Sequence, residues 1–142
     1  MALKTLENTK MLDGVRMSNV LVKMHVDGKQ YSQFGEVLFK DHGVSGICVF
    51  NLSCHLARKH NYSGKMEIDF LPNISLEMTL ELIETHASMF ALTKDVLTGI
   101  LPEKIGNYVL TRLGIKTDTL ANKLTKSQVR SIANLIHNFS LT

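Results

Sequence analysis

A chain of 142 residues, 44% hydrophobic and 20% charged, is long enough for one domain, or a small domain and a subdomain, with a core that needs no staples. The net charge of +3 is spread evenly, nine bases against seven acids in residues 1–73 and seven against six in 74–142. No basic block exceeds Arg58-Lys59 and tryptophan is absent, so composition does not indicate a nucleic-acid partner. Cys48 and Cys54 are too few for a disulfide framework and suit a reducing compartment. No run reaches the roughly 20 apolar residues of a membrane span, and MALKTLENTK has no apolar signal region. The expectation is a cytoplasmic protein with no membrane partner.

In chain order, the first clear element lies at 15–26, where Val20, Val22, Met24 and Val26 share one face and Lys23, His25 and Asp27 the other. Asp27-Gly28 tolerates positive φ and predicts a tight reversal. Residues 29–40 return as a strand, expected in two pieces with Gly35 at a bulge or bend. A glycine turn at GVSG, 43–46, then leads into a helix over roughly 46–59, capped by Ser45. Met66, Ile68 and Phe70 mark one face of a further strand. At Pro72-Asn73 the period changes from two to 3.6.

From Ser75 a capped helix carries Leu76, Leu80, Ile83, Ala87 and Phe90 on its apolar side, with Glu77, Glu81 and Glu84 on the wetter one. Pro102 opens a second helix through Ile105, Tyr108, Val109 and Leu113 to Gly114. Thr125 and Gln128 have the spacing of a capping box, opening a third helix with Val129, Ile132, Ala133 and Ile136 inward. The fold class is therefore α+β: a small β-barrel-like sheet over 1–73 with one helix near 46–59, and a helical subdomain of about three helices over 74–142 ending in a returning strand.

Few residues carry obvious chemistry. Gly43 and Gly46 could free backbone amides for a phosphate, but neither a Gly-Lys-Ser/Thr continuation nor GxGxxG follows, and a helix-capping turn is the plainer reading. Cys48 and His55 share a helix face while Cys54 falls to the side, a poor set for one tetrahedral metal ion. The histidines at 25, 42, 60, 86 and 137 have no local nucleophile–base–orienter order, so any Ser/Cys/His site must be assembled by the fold. Glu81 and Glu84 read as a solvated helix face. Phe39, Phe50, Phe70 and Phe139 read as core.

EVLFKDHGVSGICVFNLS at 36–53 resembles a motif of the NAD(P)/FAD-dependent oxidoreductase flavoproteins, whose members include aminoacetone-oxidase-like and bile-acid dehydro-reductase-like proteins. Gly35, Glu36, Leu38, Phe39, Gly43, Ser45, Gly46, Leu52 and Ser53 match it. IDFLPN at 68–73, ILPEKIGNYVLTRLGI at 100–115 and LTKSQVRSIANLIHNFSLT at 124–142 follow in family order. Ile47 departs from the family proline, and Lys40-Asp41-His42 from its Thr-His-Phe.

The resemblance implies an accessory domain inserted in a FAD-dependent oxidoreductase, excised here from the N- and C-terminal flavin-binding segments of the same polypeptide, which would be its partners. It would form a wall or lid near flavin and substrate, with Gly43, Ser45, Gly46 and His42 closest to the cofactor. FAD is expected in the parent, with NAD(P)H as a candidate reductant, and none bound by this chain alone. The parent is then the enzyme. The competing readings are an independent interaction module and a small enzyme with a fold-assembled Ser/Cys/His site.

Overall fold

The computed structural model describes residues 3–4, 10–26, 28–41, 43–58 and 65–141. The chain forms two compact units, residues 1–72 with 137–142, and residues 73–136. The class is α+β.

Among the described residues the sheet unit holds six strands, β1 (Leu3–Lys4), β2 (Arg16–Val26), β3 (Lys29–Lys40), β4 (Gly43–Ser45), β5 (Lys65–Asp69) and β6 (Phe139–Leu141). Their order is β1-β4-β3-β2-β5-β6, with every pairing antiparallel. The alternation read from sequence buries Val20, Val22, Met24 and Val26 on β2 and Met66 and Ile68 on β5. A hairpin joins β2 to β3 with Val26 opposite Lys29 and Gly28 at φ 75°, while Asp27 lies outside the described residues. Phe39, Phe70 and Phe139 close the core as a trio with ring centroids 5.0–6.3 Å apart, a geometry that adds to the area each buries.

Two expectations fail in this unit. β3 is one unbroken strand, and the irregularity lies opposite it on β2, between Met17 and Val20. Two steps on β3 face three on β2, and Asn19 takes up the extra residue at φ 58°, a conformation asparagine tolerates better than most. Gly35 is there for space instead, since a Cβ on it would stand 3.3 Å from Cys48 Cβ. Phe50, expected in the core, is 49% exposed on α1 (Ile47–Arg58), because the side of α1 facing the sheet is taken by Cys48, Val49 and Leu52.

The helical unit contains α2 (Leu76–Met89), α3 (Thr93–Val96), α4 (Glu103–Arg112) and most of α5 (Lys126–His137). Ser75 accepts from the Met78 amide at 3.2 Å, capping α2. Thr125 and Gln128 complete the capping box of α5, with Gln128 N donating to Thr125 Oγ1 at 3.1 Å and Thr125 N to Gln128 Oε1 at 2.9 Å. Val129, Ile132, Ala133 and Ile136 are all buried.

The apolar face of α2 is shifted from expectation. Thr79 is fully buried, its hydroxyl donating to the Ser75 carbonyl at 3.1 Å, whereas Phe90 ends the helix exposed. The short α3 has no counterpart in the sequence pattern. Thr93, also fully buried, holds it by hydrogen bonds to the Thr119 carbonyl and hydroxyl at 3.0 and 2.9 Å.

Candidate functional site

The residues singled out at 43–46 do not form an open turn. Gly43, Val44 and Ser45 are strand β4, paired with Lys40, Phe39 and Leu38 of β3, and with β1 through Lys4 and Leu3. Backbone amides engaged in sheet pairing cannot also cradle a phosphate, so the phosphate reading of GVSG is set aside. The glycine turn contracts to Gly46 alone, at φ 126°. A Cβ there would stand 2.5 Å from the Glu36 carbonyl oxygen and 3.3 Å from Val37 Cα, so this position admits glycine only. His42 lies outside the described residues.

β3 and the first turn of α1 therefore meet at one point. Cys48 Sγ donates to the Glu36 carbonyl at 3.0 Å and is buried against Gly35. Burial pushes the thiol pKa up, and the Glu36 charge adds to this, while the Val49 amide and the Cys48 amide oppose it. A thiol held protonated is a poor nucleophile and a poor metal ligand. Cys54, on the partly open side of α1, donates to the Phe50 carbonyl at 3.5 Å. Among the described residues no three His, Cys, Asp or Glu side chains converge on a metal position.

The fold does assemble one acid–imidazole pair that sequence spacing could not show. His137 Nδ1 lies 2.9 Å from Asp69 Oδ1, and both side chains are mostly buried. A carboxylate accepts, so Nδ1 carries the hydrogen, and the same Oδ1 takes a second bond from the Leu71 amide at 2.9 Å. Asp69 ends β5 and His137 ends α5, so 68 residues separate the partners. His86 is fixed in the same tautomer, its Nδ1 2.7 Å from the Val96 carbonyl, with the ring edge-on to Phe90. His25 Nε2 lies 3.0 Å from Glu67 Oε1 on the sheet, out of line for a directed hydrogen bond. In the helical unit a cleft of about 400 Å³ is lined by Lys94, Asp95, Thr98, Glu103 and Asn107, among others.

Similarity to known proteins supplies the family in which this geometry sits. The chain is 33% identical over 99 residues to a 3-dehydro-bile acid delta(4,6)-reductase of Clostridium scindens, covering 66% of this chain and 24% of that protein. It is 27% identical over 118 residues to a ribosomal RNA dihydrouridine synthase of Haemophilus influenzae, covering 81% of this chain and 27% of that protein. The chain thus spans about a quarter of the length of the curated relatives it matches. The family described as HI0933-like protein barrel and H2TH domain matches residues 1–142. The chain belongs to this HI0933-like family, a family of FAD-dependent oxidoreductases.

Proposed function

We propose that the chain serves as the accessory domain of a FAD-dependent oxidoreductase, forming a wall or lid beside flavin and substrate, with the Gly43–Gly46 segment on the side presented to the cofactor. The observation that carries this is the match of the whole chain to a barrel and H2TH domain, within relatives about three times its length. In this reading Gly43, Ser45, Gly46 and His42 belong to the segment turned toward the cofactor, and flavin-binding segments of the same polypeptide supply the dinucleotide site. FAD is the cofactor of the parent, with NAD(P)H as reductant. Two unpaired thiols suit a reducing, cytoplasmic setting.

Titrating FAD against the purified chain tests the reading. No saturable change in flavin fluorescence is expected at micromolar concentrations, and binding is expected once the flavin-binding segments are joined. A yellow protein with stoichiometric flavin, or turnover by the chain alone, would overturn it. An independent Ser/Cys/His enzyme is disfavoured by the buried, protonated Cys48.

The names of the two relatives point to different substrates for the parent, a 3-dehydro-bile acid and ribosomal RNA.

A further inference from the structure

On its open side α1 differs from the helices of the helical unit. α2 exposes Glu77, Glu81 and Glu84, and α5 exposes Lys126 and Arg130. Residues 47–54 of α1, ICVFNLSC, contain no charged residue. With about 3.6 residues per turn, Cys48, Val49 and Leu52 cluster on one side of the helix, where all three are buried. Ile47, Phe50, Asn51 and Cys54 fall on the opposite side, with Ile47 80% and Phe50 49% exposed.

A helix that is apolar on both sides has the pattern of one covered on both sides. The sheet covers the first. The second does nothing for folding of the chain, since a β-branched residue left in water at the start of a helix adds neither core nor helix propensity. The lack of charge also limits what can cover it. Over 47–54 no cation is present to attract phosphate, nucleic acid or an anionic bilayer. Two side chains of this size fall short of the roughly 800 Å² a side that holds a free second copy. A segment of the same polypeptide needs less, because its tether supplies an effective concentration on the order of millimolar. In the two curated relatives the match covers 24% and 27% of the length, so most of each polypeptide lies outside it. α1 also starts directly after Gly46, the end of the segment assigned to the cofactor side.

We infer that the outer side of α1, centred on Ile47 and Phe50, is the surface on which the flavin-binding segments of the same polypeptide dock. The inference rests on the reading of this chain as an accessory domain, and it names the residues through which that domain is held. Ile47 and Phe50 there leave water for apolar side chains of the docked segment, and α1 becomes an internal helix.

Thiol labelling tests this independently of flavin and turnover. A Cys54→Ser background, in which Cys48 stays buried, receives one new thiol at an exposed position, Asn51→Cys on α1 or Glu84→Cys on α2. Maleimide rates are compared between the 142-residue chain and the same chain joined to its flavin-binding segments. In the joined protein the α1 thiol is expected to react at least about tenfold more slowly, and the α2 thiol within about twofold of its free rate. Ile47→Glu with Phe50→Glu is expected to leave the circular dichroism and denaturation midpoint of the chain alone unchanged, because neither side chain lies in the core. In the joined protein the same pair is expected to return the α1 thiol to its free rate. Equal α1 rates in the free and joined proteins would overturn the inference. So would a dimer of the chain alone, seen by sedimentation equilibrium, that slows the α1 thiol and is broken by the glutamate pair. Protection without flavin binding supports the docking surface and defeats the cofactor reading. Flavin binding with an unprotected α1 thiol does the reverse, so the two fail separately.

Discussion

The sheet unit and the helical unit are specified in different ways. In the sheet unit, order comes from pairings between distant residues, such as Ile68 with Phe139, and from close backbone approaches at Gly35 and Gly46. In the helical unit much of it is local: Ser75 three residues from Met78, Thr125 three from Gln128, and apolar stripes repeating every three or four residues. A unit built from distant contacts fails as a whole when one is removed. A unit built from local signals loses them one at a time.

Removing part of the aromatic trio should give the largest effect. Phe139→Ala is expected to cost about 3–5 kcal/mol, since the side chain is fully buried between Phe39 and Phe70, and denaturant midpoints will read it. Gly46→Ala follows at about 3 kcal/mol, from a Cβ driven against the Glu36 carbonyl and from backbone strain at φ 126°. From sequence, a β-branched residue at 46 is expected to impair assembly with the flavin-binding segments more than folding of the barrel, and the close approach at Glu36 adds a folding cost to such a change. Hydrogen exchange on this variant sharpens the contrast between units: β3 and β4 amides should lose protection while α2 and α4 keep theirs. Equal loss in α4 would show a single cooperative fold.

Thr125→Ala should cost only about 1 kcal/mol and raise exchange at the first amides of α5, leaving β2 and β3 untouched. The smallest effect is set by pH. Because burial raises the folded pKa of Cys48, the native state binds its proton more tightly than the unfolded chain does. That stability is complete below the unfolded thiol pKa of about 8.5 and is lost as pH rises through the folded value. Thermal midpoints measured from pH 8 upward should fall, and Cys48→Ser should flatten that decline.

What could be read in advance follows the same division. The capping box at 125–128, the stripe through Ile136 and the alternation on β2 are written in consecutive residues and appear where expected. The bulge at Asn19 escaped because its cause is register against β3, which no local window contains. Thr79 and Thr93 look like surface residues until a carbonyl acceptor is placed beside each. Phe50 satisfies helical periodicity, yet lies one position off the buried side of α1. The motif at 43–46 was visible as glycine and serine, but its place as a strand between two others needs Leu38, Phe39 and Lys40 on one side and Leu3 and Lys4, some forty residues away, on the other.

The Asp69–His137 bond also bears on how this chain could be cut and rejoined. The sheet unit gives up the chain just after Asp69 and takes it back at His137, with their side chains 2.9 Å apart. Departure and return at one point are the geometry of a graft, since everything between can be exchanged without stretching the host backbone. A few flexible residues would bridge that gap, and the loop-closure entropy for β6 would fall only modestly, since it grows with the logarithm of loop length. The helical unit is in this sense a removable passenger on a six-stranded carrier.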